Sequence, residues 1–228
     1  MQFLYPFMEK LGTRKSIWVV KIGGSLLGSP ELIKWLDIFV KFSDGNVIIV
    51  PGGGLFADAV REAQAQSNIS DAVAHKLAVI AMDQYGLLLA GMNAGLVTAS
   101  SELELAERSW QHRAIVWLPS KMVLADDTIA KNWQVTSDSL TAWLANKIDA
   151  DQLVLIKSKS LVCYQKTLSV SLQTLVEDEM IDTQFVDFAT GQKYESWALN
   201  KADFKIFING FSLQKLEEKA LLIDIKSH

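Results

Sequence analysis

Six short runs along the chain are almost unbroken in apolar residues: 17–22, 47–50, 114–118, 153–156, 206–208 and 222–225. Successive rather than alternate apolar positions mean that both faces of a strand are covered, as in a parallel sheet with helices on each side. Between these runs the spacing turns helical. Residues 31–42 set Leu32, Trp35, Leu36 and Phe39 along one stripe, and 55–66, 71–91, 103–110 and 138–148 also read as helices. Strands alternating with helices predict βαβ units and an α/β fold, a three-layer α/β/α sandwich around a mainly parallel sheet. The apolar stretch 78–99 is interrupted by Asp83, Gln84 and Asn93 and reads as a buried helix. A soft boundary falls at Asp149-Ala150-Asp151, dividing one continuous domain into lobes 1–150 and 151–228. Residues 161–205 are less regular and read as short strands and loops, with Glu177-Asp178-Glu179 as a solvated face.

Composition narrows the function classes. Half of the 228 residues are hydrophobic and 21% are charged, enough apolar mass for a sizeable core. A net charge of -4 supplies no basic face, so nucleic acid is not an expected partner. Any polyanion must be held by local devices such as a glycine turn or a placed lysine. The single cysteine, Cys163, permits no intrachain disulfide, which favours a reducing compartment, and its apolar neighbours predict a buried thiol. No run approaches the roughly 18 apolar residues of a membrane span, and residues 1–16 are too short in apolar character for a signal peptide. The expected location is the cytoplasm, without membrane partners.

Two glycine turns carry the candidate chemistry. The first strand ends in Lys21-Ile22-Gly23-Gly24-Ser25, and the second in Pro51-Gly52-Gly53-Gly54, each followed by a helical stretch. Glycines let backbone N–H groups close around an anion, and a following helix aims its positive end at the same point. Lys21 adds a cation able to neutralise a transferring phosphoryl group. Ligands of open α/β sheets lie at the carboxyl ends of the strands, where two such turns face one crevice. Other phosphate and nucleophile motifs are absent: there is no G-x-x-x-x-G-K-[ST], no G-x-G-x-x-G after a strand, and no G-x-S-x-G. His75, His112 and His228 show no metal-ligand spacing, and His75 and His112 are expected as surface or satisfied histidines. A third cluster, Thr136-Ser137-Asp138-Ser139, opens a helix. Capping explains one or two of these residues. Asp138 is also placed to hold the Lys21 ammonium.

Together, Lys21-x-Gly23-Gly24-Ser25, the Gly52-Gly53-Gly54 turn and Asp138 at a helix start resemble the recurring motifs of the amino acid kinase family, over residues 17–157. The resemblance implies ATP bound towards the C-terminal lobe, a small-molecule acceptor in the N-terminal lobe, and transfer to a carboxylate or phosphate. It assigns Lys21 to bridging the phosphates, Gly23 and Gly24 to cradling the phosphoryl group, and Asp138 to orienting Lys21. Gly52, Gly53 and Gly54, with Thr136 and Ser137, would bind the acceptor. Ser25, Lys157 and Ser158 would contact ATP, and Mg²⁺ would arrive with the nucleotide rather than in a protein cage. Dimers or larger rings of this family make a homo-oligomer the expectation, with the 71–91 helix at an interface.

Within the family, residues 135–145 are most similar to the small kinases of methanofuran biosynthesis and their methylotroph relatives, whose acceptor is an aminomethylfuran phosphate. The run Lys157-Ser158-Lys159-Ser160-Leu161 lacks the Asp and Gly of the family's nucleotide turn, and a second catalytic lysine has no counterpart in the sequence. The competing reading is a catalytically silent anion- or nucleotide-binding protein with regulatory or storage function. A purely structural α/β protein is the third.

Overall fold

The computed structural model describes residues 15–164 and 169–225. The expectation for residues 1–16 concerns a segment that, save its last two residues, lies outside the described residues, as does His228.

Eight strands form one sheet in the order β3-β4-β2-β1-β5-β7-β8-β6. They are β1 (Trp18–Ile22), β2 (Val47–Pro51), β3 (Leu96–Ala99), β4 (Ala114–Trp117), β5 (Gln152–Lys157), β6 (Ser169–Ser171), β7 (Glu195–Asn200) and β8 (Leu221–Asp224). All neighbouring pairs run parallel except β7 with β8. The central strand β1 lies between β2 and β5, with Lys21 opposite Val50 on one side and Leu155 on the other.

The strand pleat sorts the core into two layers. Val20, Ile22, Ile49 and Ile156 face α1 (Pro30–Phe42), a 3₁₀ helix (Lys201–Phe207) and α9 (Leu213–Lys219). Val19, Val50, Leu153 and Leu155 face the layer containing α6 (Ser137–Lys147), α7 (Leu172–Glu177) and α8 (Phe185–Ala189). Lys21 and Lys157 share the parity of Val19 and Leu155, so both lysines project on the α6 side. The remaining helices are α2 (Gly54–Ser67), α3 (Asp71–Met92), α4 (Glu102–Trp110) and α5 (Ser120–Val123). The long α3 contributes Val79 and Met82 to one layer and Tyr85 and Leu89 to the other.

Four local expectations are corrected. Residues 206–208 belong to no strand; Phe207 closes the 3₁₀ helix Lys201–Phe207. A capping box starts that helix, with the Asn200 side chain accepting from Ala202 N at 3.0 Å and Asp203 accepting from Asn200 N at 3.1 Å. The stretch 78–99 is not one helix: α3 ends at Met92, and Asn93, whose side chain accepts from Gly95 N at 2.9 Å, turns the chain into β3. The irregular region 161–205 contains α7 and α8, as well as β7, which completes the sheet beside β5. Ser171 caps α7 by accepting from Thr174 N, a local signal outweighed in the sequence by the helix's short length. Finally, Cys163 is exposed. It sits on a 3₁₀ turn (Val162–Tyr164) whose inward positions, Leu161 and Tyr164, are three residues apart, leaving 162 and 163 outward. Glu177, Asp178 and Glu179 are exposed, as expected of a solvated face.

Candidate active site

The two glycine turns meet at the carboxyl ends of β1 and β2. Gly52 N donates to Ile22 O at 2.8 Å, tying one turn to the other. A Cβ on Gly24 would lie 2.1 Å from the Cα of Gly54, and one on Gly52 would lie 2.6 Å from the nitrogen of Gly24. Only bare backbone fits at this contact. Gly54 also has φ of +54°, a left-handed conformation at the first residue of α2. Gly23 stands beside the Lys21 ammonium, and its carbonyl accepts from the Tyr85 hydroxyl at 3.4 Å. Burial pushes the Tyr85 phenol up to about 12, so it remains a donor near neutral pH.

Between the turns and α6 lies a compact charge centre. Asp138 is 6% exposed, and Lys21 and Lys157 are each 9% exposed. Lys21 Nζ sits 2.8 Å from Asp138 Oδ1, and Lys157 Nζ donates to Asp138 Oδ2 at 2.6 Å. Burial opposes the carboxylate charge, but the Lys157 and Lys21 ammonium groups outweigh it and hold the Asp138 carboxyl at about 2. Burial pushes the Lys157 ammonium below its ordinary value, against the attraction of Asp138. The trio carries two positive charges against one negative. Such an excess in a secluded site favours an incoming anion.

Asp138 is fixed by the start of its helix. Thr136 caps α6 by accepting from Asp138 N at 3.3 Å. Asp182, from the loop before α8, accepts from the Thr136 hydroxyl, from Ser139 N at 3.0 Å, from the Ser139 hydroxyl and from Phe185 N at 2.9 Å. Burial and the nearby Asp138 charge push the Asp182 carboxyl up, partly offset by these donors. Sequence reasoning missed Asp182, for it lies 44 residues beyond Asp138 in an irregular stretch with no motif of its own.

Two cavities flank the trio. The larger, about 620 Å³, is lined by Gly24, Ser25, Gly52, Gly53, Gly54, Thr136 and Ser137 among others. Apolar walls come from Val79, Met82, Val135 and Leu140. Its rim carries Asp58 and Arg61; Arg61 lies over the Trp133 ring at 4.7 Å, and Trp133 Nε1 donates to Gln64 Oε1 at 2.6 Å. The smaller, about 150 Å³, is lined by Lys21, Ser25, Lys157, Ser158, Lys159 and Met180 among others. Ser25 bridges the two, its hydroxyl 2.9 Å from that of Ser158. Lys159 donates to the Glu179 carbonyl at 3.3 Å. Of the site residues singled out in the sequence, Gly23 and Asp138 line neither cavity. His112 is exposed against Asp44, and His75 is buried in the larger cavity's wall. Among the described residues no group of three His, Cys, Asp or Glu side chains is placed to hold a metal ion.

Fold and site together define a three-layer α/β protein with a glycine-lined cleft beside a buried lysine–aspartate centre at the carboxyl edge of a parallel sheet. The family model "Amino acid kinase family" matches residues 16–188, and the chain belongs to that family. It is 34% identical over 139 residues to the (5-(aminomethyl)furan-3-yl)methyl phosphate kinase of Methanocaldococcus jannaschii, a match covering 60% of this chain and 63% of that protein. The match thus spans less than two thirds of that relative's length. In fold the chain is similar to the UMP kinase of Ureaplasma parvum (TM-score 0.66, 13% identity, 92% of this chain and 100% of that one). It is also similar to the uridylate kinase of Archaeoglobus fulgidus (TM-score 0.59, 20% identity, 81% and 90%).

Proposed function

We propose that this protein is an ATP-dependent kinase that transfers a phosphoryl group to the phosphate of a small molecule, with an aminomethylfuran phosphate as the acceptor. The observation that carries this reading is the Lys21–Asp138–Lys157 trio standing between the paired glycine turns and α6. The acceptor phosphate lies against Gly52, Gly53 and Gly54, with its body in the 620 Å³ cavity beside Thr136 and Ser137. The ATP phosphates lie against Gly23, Gly24, Ser25, Lys157 and Ser158. Residues 1–150 then serve as the acceptor lobe and 151–228 as the nucleotide lobe.

In the transfer, the bond between the γ-phosphorus and the ADP oxygen breaks while one forms to an oxygen of the acceptor phosphate. Lys21 and Lys157 neutralise the charge that spreads over the moving group, and Asp138 keeps the two ammonium groups together without reacting. Lys157 supplies the second cation for which the sequence offered no counterpart. Mg²⁺ comes with the nucleotide, since both oxygens of the buried Asp138 are engaged by lysines. The partners are ATP, the acceptor and a second copy of the chain, meeting through α3, whose exposed Val73, Leu77, Leu87, Leu88 and Met92 form an apolar face. No described helix is long and apolar enough to cross a membrane.

The test is ADP formation from Mg·ATP with a panel of phosphorylated and carboxylated acceptors that includes aminomethylfuran phosphate. Turnover lost in Lys21→Ala supports the kinase. Thermal stabilisation by ATP with no turnover on any acceptor would overturn it in favour of a silent binding protein.

A further inference from the structure

The larger cavity has a second polar end that the transfer chemistry does not use. His75, on α3, is 4% exposed and lines this cavity. Its Nδ1 stands 3.2 Å from the carbonyl oxygen of Asn132. A carbonyl only accepts, so Nδ1 must carry the proton and donate. That contact fixes the tautomer: in the neutral ring, Nε2 is then a bare acceptor. Burial, with Lys131 nearby, keeps the ring neutral by pushing its ionisation down. Among the described residues Nε2 has no hydrogen-bond partner, and it is not one of the sealed buried atoms. An acceptor held on the wall of a cavity awaits a donor that arrives with a ligand.

His75 lies ten residues before Tyr85, the side chain that supports the glycine turn, a separation of about 15 Å along α3. Both side chains lean towards the helix N-terminus, so the separation of their ends stays near that figure. The cavity therefore has one end lined by the backbone of the glycine turns, suited to a phosphate, and another with an unfilled acceptor. Asp58 is the only acid among its lining residues, and its side chain pairs with Arg61 at 2.7 Å. Arg61 thus neutralises Asp58, and what the free acceptor calls for is a hydrogen-bond donor, which the proposed acceptor carries in its amine.

We infer that His75 Nε2 accepts a hydrogen bond from a protonated amine at the non-phosphorylated end of the acceptor, and so selects amine-bearing phosphates. This rests on the reading of the cavity as the acceptor site, and it names the residue that sets which acceptors fit. A site that hydrogen-bonds a substrate group discriminates strongly against the analogue lacking it, because its own polar atom is left unpaired.

Calorimetric titration without ATP tests this with two probes, (5-(aminomethyl)furan-3-yl)methyl phosphate and its 5-methyl counterpart. Wild type is expected to prefer the amine at least tenfold. His75→Phe, which keeps the ring volume, is expected to cut that preference below threefold, and His75→Gln, whose amide oxygen accepts, to restore part of it. Equal binding of both probes by wild type, binding of neither, or an undiminished preference in folded His75→Phe would each overturn the inference. Histidine ¹⁵N NMR of the wild-type protein needs no variant to fold: an unprotonated Nε2 whose resonance moves on adding the amine supports the inference, and an Nε2-protonated ring refutes it. Amine-selective binding without ADP formation would sink the kinase reading and leave His75 standing. Equal turnover of both probes would do the reverse.

Discussion

Asp138→Asn removes the negative charge shared by two buried lysines while nearly preserving side-chain volume. Removing one partner of a buried ion pair costs about 3–5 kcal/mol, because the remaining charge is left uncompensated. Both lysines keep some access to the cavity between them, each 9% exposed, so the lower figure is the better guide. At about 2–4 °C per kcal/mol for a chain of this size, about 3 kcal/mol lowers Tm by about 6–12 °C. Against a typical stability of about 5–15 kcal/mol, the variant remains folded at 25 °C. Turnover should fall at least tenfold, about 1.4 kcal/mol of barrier, as the ammonium groups separate. Two further readouts distinguish a charge effect from general damage. Millimolar inorganic phosphate should restore more of the lost Tm in Asp138→Asn than it adds to wild type, since the anion replaces the missing charge. The pH dependence has a definite sign. The Asp138 carboxyl titrates at about 2 when folded, against an ordinary 3.8. The unfolded chain therefore takes up the proton first as pH falls. The stabilisation is whole above about pH 4 and is lost as pH drops towards 2, an effect of about 2 kcal/mol. The gap in Tm between wild type and variant should narrow over that window. Scanning calorimetry and an ADP-release assay measure all of this. An unchanged Tm with an unchanged rate would show that the trio is not the charge centre described above.

Two glycines on the same chain should respond oppositely to alanine. Gly24→Ala drives a methyl into the backbone of Gly54 and should lower Tm and raise the acceptor KM at least tenfold, whereas Gly91→Ala, with open space around its new methyl inside a helix, should hold or raise Tm by up to about 1 kcal/mol of stability; equal effects at the two sites would refute the packing of the turns. Cys163, exposed on its 3₁₀ turn, should react with a thiol reagent in the folded protein at a rate close to that in denaturant, and protection by folding would contradict its outward placement.

The buried parallel strands were legible because burial on both faces leaves continuous apolar runs, and 17–22, 47–50 and 153–156 became the three central strands. The strand beside β5 was not. Glu195–Asn200 carries Glu, Ser and Asn among its apolar residues, and pairing with β5 on one side and β8 on the other makes it a strand. Residues 206–208 failed in the other direction, since a three-residue apolar run fits a strand or a helical turn, and the Asn200–Asp203 cap decided for the turn.

The site divides along the same line. Glycine pairs at strand ends, a lysine two residues before them and a capped helix starting at Asp138 are local patterns, and local backbone chemistry is written in the sequence. What the chain's order could not express is which groups face each other across the sheet. Lys157 shares Asp138 with Lys21 because β5 pairs with β1 in a register that points both lysines to the α6 side. Asp182 anchors α6 from a distant loop, and the Asn132 carbonyl holds one ring nitrogen of His75 in the cavity wall. Those pairings depend on strand register and helix packing, long-range terms that act only once the layers have closed.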